Sequence, residues 1–314
     1  MSTPDQRESA PAAPTPDVSV PQRRFSERRL AFFRAVEGCA AALGGRRAYR
    51  RRHLAPGRFR LREERIEWPG LPPGLDGLTI AQLSDFHGGR FLGAGDLTAV
   101  VDAVNELSVD LIALTGDYMT HAVEEALPLL DELACLTSRL GTFAVFGNHD
   151  YKERREGEMV ERAAAGGIRF LRNACQRFEV DGGALALTGL EDLEEARVVD
   201  VAAARAVLRP GDVEIMLCHN PAGARDLAHA GCAAILSGHT HGTQVDLPLL
   251  RTLGPKHPGL RVCFGATTLL VNRGLGIVGL PWRHRAPAEV VIVKLLAAPV
   301  AAQTPETRCT AASP

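Results

Sequence analysis

The chain has 314 residues, of which 46% are hydrophobic, and its formal net charge at pH 7 is −1. That length and apolar content suffice for one large domain or two small ones, and the near-zero charge gives no general attraction for nucleic acid. Seven scattered cysteines without a C-x-x-C pair argue against a disulfide framework or a cysteine zinc site and favour a reducing compartment. The chain has no run of about 18 apolar residues, so a transmembrane helix is not expected.

The first 66 residues differ in composition from the rest. Residues 1–22 are rich in Pro and Ala, which predicts a disordered tail. Residues 23–66 carry fourteen arginines against four glutamates, and Phe32, Val36, Cys39 and Leu43 fall at helical spacing within them. A basic amphipathic segment of this kind can lie on an anionic membrane surface. The alternatives are that its apolar stripe packs on the main domain, or that the segment is a solvated linker.

Between residues 67 and 296 the chain alternates apolar strands with helical stretches, and residues 297–314 are predicted to be a second disordered tail. The predicted strands are 78–85, 109–117, 141–150, 184–190, 213–220, 233–240, 262–266, 268–272 and 288–296. The predicted helices are 95–107, 123–136, 157–166, 198–207 and 222–230. The alternation predicts an α/β domain with a largely parallel sheet and outer helices. The closing strands, which have no helices between them, suggest a second, mixed sheet.

Five of the predicted strands end in side chains that can bind a metal ion. Their tips read Asp85-Phe86-His87, Gly116-Asp117, Gly147-Asn148-His149-Asp150, His219-Asn220 and Gly238-His239-Thr240-His241. In open α/β sheets, ligands bind at the carboxyl ends of strands, so we expect these tips to meet at one edge. Each tip alone has a plainer explanation, such as a helix cap or a core histidine, whereas all five together favour a functional site.

The types of side chain at these tips limit the choice of metal. Carboxylate, imidazole and amide groups without a thiolate suit Mn²⁺, Fe²⁺/Fe³⁺ or Zn²⁺ better than a soft metal. About seven candidate ligands are too many for one tetrahedral ion. Two ions roughly 3.5–4 Å apart, bridged by a carboxylate, fit better. The sequence therefore predicts two divalent ions, with Mn²⁺ as the first candidate.

The motifs D-x-H, GD, GNHD, H and GHTH, in this order over residues 85–241, resemble those of the calcineurin-like metallophosphoesterase superfamily. The segments VNRGLG at 271–276 and PAEVVIVKL at 287–295 resemble its YkuE/YaeI-like bacterial branch. Members of that branch resemble UDP-2,3-diacylglucosamine hydrolases of lipid A synthesis. The resemblance implies an α/β fold of the metallo-dependent phosphatase type, in which two mixed β-sheets pack as a sandwich flanked by α-helices.

The resemblance also implies a role for each site residue. The first ion would be bound by Asp85, His87 and His241. The second ion would be bound by Asn148, His219 and His239, and Asp117 would bind both ions. A bridging hydroxide would attack phosphorus, because metal ions lower the pKa of bound water. His149 would be the general acid that protonates the departing oxygen. Arg273 would bind a substrate oxygen, since a guanidinium can fork onto phosphate; a salt bridge within its loop is the alternative.

Differences from the motifs of related families narrow the type of phosphoesterase. The residues after Asp117 and the Asp at position 150 do not match the GD-x-x-DRG and GNHE motifs of protein Ser/Thr phosphatases. Thr120 stands where purple acid phosphatases supply a tyrosinate ligand. Thr243 stands where many members of the YkuE/YaeI-like branch have glycine. Asp150 is the candidate to orient the imidazole of His149.

These features predict a metal-dependent phosphodiesterase or pyrophosphatase, with a lipid-linked nucleotide such as UDP-2,3-diacylglucosamine as candidate substrate. The alternatives are a nuclease, a broad-specificity phosphodiesterase and a scaffold without catalysis. The complete ligand set argues against the scaffold, and the arginine-rich segment lacks the aromatic platforms that bind single-stranded nucleic acid. The expected location is the cytoplasm, with residues 23–66 as the candidate contact with the inner face of the cytoplasmic membrane.

Overall fold

Two β-sheets of six strands each form the centre of the protein in the computed structural model, which describes residues 27–229, 231–246, 255–279 and 281–298. The strands in these ranges are β1 Arg60–Trp68, β2 Thr79–Leu83, β3 Leu111–Leu114, β4 Thr142–Ala144, β5 Ile168–Phe170, β6 Ala174–Val180, β7 Gly183–Gly189, β8 Val213–Leu217, β9 Ala234–Ser237, β10 Arg261–Phe264, β11 Thr267–Val271 and β12 Glu289–Ala297. The α-helices are α1 Glu27–Ala42, α2 Gly45–Tyr49, α3 Thr98–Glu106, α4 Val123–Leu133, α5 Glu156–Ala165, α6 Val201–Arg205 and α7 Ala224–Ala228.

Both sheets are mixed. The first has the order β1-β12-β2-β3-β4-β5, and the second has the order β10-β11-β9-β8-β7-β6. Strands β2 to β5 run parallel, as do β7, β8, β9 and β11, whereas β12 is antiparallel to β2. The parallel strands β3, β8 and β9 are buried along their whole length. Burial on both faces explains why they read as continuous apolar runs rather than as alternating patterns.

Apolar side chains fill three layers. One layer lies between the sheets and joins Ile80 and Leu111 of the first sheet to Leu187 and Leu236 of the second. The other two layers lie under α3, α4 and α5 on the first sheet, and under α6 and α7 on the second. The predicted sandwich of two mixed sheets flanked by helices is therefore confirmed.

The N-terminal part of the chain contributes more to the fold than its composition indicates. β1 pairs in parallel with β12 along its full length, so the predicted boundary at residue 67 falls inside a strand of the first sheet. Upstream, Tyr49 and Leu54 are buried in the layer under α3 to α5. The predicted tails lie outside the described residues, apart from Ala297 and Ala298. None of the helices in the described ranges is both long and apolar enough to span a bilayer.

The described cysteines are mostly thiols. Cys39, Cys135, Cys175, Cys218 and Cys232 are free, whereas Cys263 is disulfide-bonded. The scattered cysteines of the sequence did not predict the bridge at Cys263.

Candidate metal centre

The carboxyl ends of β2, β3 and β4 in one sheet meet those of β8 and β9 in the other. Gln82, at the end of β2, joins the sheets there, because its Nε2 donates a hydrogen bond to the carbonyl of Ser237 at 2.9 Å. The structure brings the predicted strand-tip residues together at this edge: Asp85, His87, Asp117, Asn148, His149, His219, His239 and His241.

One group of potential ligands consists of Asp85, His87 and His241. Their ligand atoms lie within 4.8 Å of one another. Nε2 of His241 lies 2.9 Å from Nε2 of His87 and 3.4 Å from Oδ1 of Asp85. Burial holds the pKa of both histidines well below its usual value, so both imidazoles are neutral, the form that binds metal.

Asp117 connects this group to a second one. Its Oδ2 lies 3.4 Å from Nε2 of His87 and 3.2 Å from Nε2 of His219. The ligand atoms of Asp117, His219 and His239 also lie within 4.8 Å of one another. Oδ1 of Asn148 lies 3.0 Å from Nδ1 of His239, which adds an amide oxygen to the second group.

The chemistry of these groups fits divalent cations. Oδ2 of Asp85, Nδ1 of His87, Nε2 of His219 and Nδ1 of His241 are buried and have no hydrogen-bond partner among the described residues. Burial raises the pKa of Asp85 to about 6, and the negative charge of Asp117 adds to this shift. Divalent cations would neutralise these close carboxylates and satisfy the lone pairs of the imidazoles. The assignment of each residue to a first or a second ion stays a prediction.

The backbone at the site is strained. Five of the candidate ligands have positive φ angles, namely Asp85 at 51°, His87 at 48°, Asp117 at 60°, His239 at 69° and His241 at 52°. Such a conformation is uncommon for residues other than glycine and costs roughly 1–3 kcal/mol per residue. β9 ends at Ser237, three residues before the end predicted for this strand, and left-handed turns position His239 and His241.

Two glycines permit the close approach of the ligands. A Cβ at Gly238 would lie 2.1 Å from Oγ of Ser84 and 2.2 Å from Oδ2 of Asp85. A Cβ at Gly147 would lie 2.3 Å from Oδ1 of Asp117. Both contacts are far shorter than atoms tolerate, so these positions need glycine if the carboxylates are to stay in place.

The suggestion that Asp150 orients His149 is wrong. The carboxylate of Asp150 is buried and accepts backbone hydrogen bonds from Gly147, Asp117, Tyr118 and Met119 at 2.8–3.3 Å. Burial raises its pKa to about 7, with a further contribution from the charge of Asp117. Asp150 therefore holds together the two loops that carry Asp117 and Asn148.

His149 has other neighbours. Its Nδ1 lies 2.6 Å from Nζ of Lys152 and 3.1 Å from the carbonyl of Thr120, to which Nζ also donates at 2.6 Å. Burial, assisted by the charge of Lys152, lowers the pKa of His149 to about 4. The imidazole of His149 lies edge-on to that of His87, with 4.6 Å between ring centroids. The sequence offered no motif that singles out Lys152.

Arg273 is already paired. Its Nη1 lies 2.5 Å from Oε2 of the buried Glu289, and its backbone N–H donates to Oε1 of the same carboxylate. This ion pair agrees with the alternative prediction for Arg273, a salt bridge within the structure. A contact between Arg273 and the substrate stays a prediction. Thr243 has a positive φ of 69°, and its hydroxyl donates to the carbonyl of Gly242 at 2.7 Å.

An acidic loop after β7, absent from the predicted tips, also reaches the site. Oε2 of Glu194 lies 3.8 Å from Nε2 of His239, on the side of the ring opposite Asn148. Oδ2 of Asp192 is buried without a hydrogen-bond partner, and burial raises the pKa of this carboxyl to about 6. The segment Glu191-Asp192 follows an apolar strand, which is the same pattern that indicated the other tips.

The sequence model of the calcineurin-like phosphoesterase family matches residues 78–243. The uncharacterized metallophosphoesterase YkuE of Bacillus subtilis (strain 168) is 30% identical over 288 residues, which cover 87% of this chain and 98% of the relative.

Two further relatives are longer proteins. A transmembrane protein with metallophosphoesterase domain from Danio rerio is 30% identical over 247 residues, which cover 72% of this chain and 54% of the relative. An uncharacterized metallophosphoesterase from Helicobacter pylori (strain J99 / ATCC 700824) is 31% identical over 226 residues, which cover 70% of this chain and 60% of the relative. The chain thus spans little more than half the length of these two relatives.

Among solved structures, the phosphopantetheinyl hydrolase from Mycobacterium tuberculosis aligns with 72% of this chain and 98% of its own, at 15% identity and a TM-score of 0.45. At that level the likeness says nothing about the activity of this chain.

Proposed function

The chain belongs to the calcineurin-like phosphoesterase family and is a metal-dependent phosphoesterase, and from this premise we propose that it hydrolyses phosphodiester or pyrophosphate bonds with two divalent ions, Mn²⁺ being the first candidate. The observation that carries the proposal is the position of Asp117. One carboxylate oxygen lies 3.4 Å from His87 and 3.2 Å from His219, between two groups of ligands. Divalent ions held there would act as Lewis acids on a phosphoryl oxygen and make water a better nucleophile near neutral pH.

His149 is the residue that supplies the proton. The ammonium of Lys152 can only donate, so Nδ1 of His149 accepts its hydrogen bond and the single imidazole proton resides on Nε2. As the P–O bond breaks, Nε2–H would give its proton to the departing oxygen while Nδ1 takes a proton from the ammonium of Lys152, so that the ring stays neutral and the lysine loses its charge. Acid catalysis of this kind typically contributes about 10²–10⁴-fold.

The chemical types of the candidate metal ligands support a phosphate ester as substrate. The ligand set of carboxylates, imidazoles and an amide suits hard or borderline cations that clamp phosphoryl oxygens. A lipid-linked nucleotide such as UDP-2,3-diacylglucosamine is the candidate within this class, supported by the motif resemblance and not by a contact in the site.

The test is hydrolysis of bis-p-nitrophenyl phosphate by the full chain, after chelation and after reloading with Mn²⁺. We expect activity to return with Mn²⁺ and to fall by at least about 10³-fold in Asp117→Asn, since the ligand shared by both groups is lost. Asp131→Asn is the matched control, because Asp131 lies on the surface in an ion pair with Arg162. Activity that survives both chelation and Asp117→Asn would exclude the proposed function. UDP-2,3-diacylglucosamine, a cyclic nucleotide and a simple diester, assayed side by side, rank the substrates.

A further inference from the structure

Helix α1 packs one side on the domain and leaves apolar side chains exposed near its C-terminal end. In α1, Glu37 is buried, and Ala40 and Ala41 pack against the main domain. Cys39 is exposed and Leu43, directly after the helix, is 89% exposed. The predicted apolar stripe is therefore exposed at these two positions, whereas Val36 is half-buried.

The chain after α1 carries unpaired positive charge. Residues 43–58 contain no acidic residue and six arginines, Arg46, Arg47, Arg50, Arg51, Arg52 and Arg58. Arg46 and Arg50 form ion pairs with Asp96. In contrast, Arg51, Arg52 and Arg58 are exposed and line a shallow hollow of about 360 Å³. These three guanidinium groups have no ion pair or hydrogen bond within the part of the chain that the structure describes.

The loop segments 275–279 and 281–285 contact both helices. The backbone N–H of Gly279 donates to Oε1 of Glu37 at 3.0 Å. The hydroxyl of Tyr49 donates to the carbonyl of Leu275 at 2.5 Å. These contacts place the loop beside α1 and α2.

The same loop exposes two large apolar side chains. Val278, next to Gly279, is 38% exposed and Trp282 is 41% exposed. Leu43, Arg51, Arg52, Arg58, Val278 and Trp282 are together called the helix–loop surface. Leu43 is the most exposed large apolar side chain among the described residues.

We propose that the helix–loop surface docks on a lipid bilayer that contains anionic headgroups. Unpaired arginines are attracted to anionic headgroups, at about fivefold in partitioning per charge near the surface. Apolar side chains among them can enter the headgroup region, and tryptophan is enriched at that depth. Nucleic acid fits less well, because single-strand sites need several aromatic platforms and the helix–loop surface offers only Trp282.

Helix α1, next to the helix–loop surface, contacts the loop that lies beside His149, the candidate general acid. Oε2 of Glu37 lies 3.3 Å from Nε2 of His121, and His121 directly follows Thr120, the carbonyl partner of Lys152 and His149. Glu37, His121 and Thr120 thus link α1 to the segment that holds His149. If the protein docks on a bilayer in this way, its substrate is an ester presented at the bilayer surface. This inference rests on the proposed function.

The experiment is co-sedimentation of the full chain with vesicles of phosphatidylcholine containing about 30% phosphatidylglycerol, compared with pure phosphatidylcholine. We expect at least tenfold stronger partitioning to the anionic vesicles, weakened by salt because the Debye length shrinks to about 3 Å at 1 M. The triple variant Arg51→Glu, Arg52→Glu, Arg58→Glu should lose at least tenfold, whereas Arg→Lys at the same positions should retain binding. Leu43→Asp should weaken binding severalfold. Val207→Asp, an equally drastic change at an exposed site after α6, should not.

Hydrolysis of bis-p-nitrophenyl phosphate is measured for every variant. Lost vesicle binding with unchanged hydrolysis supports the docking surface, and absent hydrolysis with intact vesicle binding counts against the proposed function alone. Equal sedimentation of the wild type and the triple Glu variant would overturn the docking proposal. So would release from vesicles by inorganic phosphate but not by chloride at the same ionic strength, which indicates a site for a small free anion. Tighter binding to an oligonucleotide than to anionic vesicles would also overturn it, in favour of nucleic acid.

Discussion

Nζ of Lys152 lies 2.6 Å from Nδ1 of His149, so a lysine and not a carboxylate faces the inner nitrogen of the candidate general acid. A carboxylate would favour a proton on Nδ1 and a charged ring. An ammonium instead favours a neutral ring with its proton on Nε2. The position of that proton is what the following two predictions test.

Replacing Lys152 by Met should reduce kcat most for substrates with poor leaving groups. Without its donor, His149 can place its proton on Nδ1 towards the carbonyl of Thr120, which leaves Nε2 without a proton to give. We expect a loss of about 10–100-fold with an alkyl diester and little loss with a p-nitrophenyl diester, whose leaving group needs no proton. Steady-state kinetics on both esters measures the difference.

Lys256→Met is the control for this prediction, because Lys256 is an exposed lysine outside the site. Lys152→Arg, which restores a cationic donor, should recover part of the rate. An equal loss on both esters, or a change in KM alone, would show that Lys152 has only a structural role.

The pH profile provides an independent check on Lys152. Burial lowers its pKa from 10.5 to about 8, against the raising effect of nearby carboxylates from Asp117, Asp150, Glu125 and Glu37. As pH rises through about 8 the ammonium is lost, so kcat on the alkyl diester should fall. This alkaline limb should be absent in Lys152→Met. A limb that persists unchanged in the variant would assign it to another group.

The lowered pKa of Lys152 also makes the stability of the fold depend on pH. Since the folded pKa lies below 10.5, the unfolded chain binds the Lys152 proton more strongly between about pH 8 and 10.5. The contribution of Lys152 to the free energy of unfolding therefore rises with pH across that window. Urea denaturation at several pH values should show a smaller rise for Lys152→Met than for the wild type.

Asp150→Asn should destabilise the fold and weaken metal binding. Oδ2 of Asp150 accepts from Gly147 N at 2.8 Å and from Asp117 N at 2.9 Å, while Oδ1 accepts from Tyr118 N at 2.8 Å. An amide must turn an NH₂ towards one of these donors, which leaves buried N–H groups unsatisfied. We expect a loss of about 2–4 kcal/mol in the free energy of unfolding.

Chemical denaturation in the presence of a chelator measures this loss without a contribution from bound ions. The control Asp131→Asn removes an exposed ion pair with Arg162 and should cost less than about 1 kcal/mol. Similar values for the two variants would mean that the loops around Asp117 are held by other contacts.

Gly238→Ala should remove the first group of ligands. The new methyl group would lie 2.2 Å from Oδ2 of Asp85, so the carboxylate has to move away from His241. We expect fewer metal ions per chain by elemental analysis and loss of diesterase activity. Gly157→Ala, where a Cβ meets nothing within 4 Å, should leave both unchanged. Full metal content in Gly238→Ala would show that Asp85 is not required for binding.

The strands that the sequence predicted are those whose side chains are buried. The strands β2, β3, β8 and β9 were found because each is a short apolar run, buried on both faces. β1 was missed because it is an edge strand rich in Arg and Glu, with only Ile66 buried. β6 was missed for a related reason, since it lies at the edge of the second sheet with no fully buried residue. Charged, half-exposed edges give no apolar pattern, and their pairing depends on a distant strand.

The chemical groups of the candidate site could be read from short motifs. Local motifs at the ends of apolar strands specify which carboxylates and imidazoles reach one edge, because strand direction alone carries them there. Only the tertiary structure decided how these groups are oriented. The hydrogen bond of Glu37 to Gly279 joins residues 242 apart in the chain, and the contacts of Asp150, Lys152 and Arg273 likewise join separate segments. Such contacts depend on packing between elements, and a linear pattern contains no distance between them.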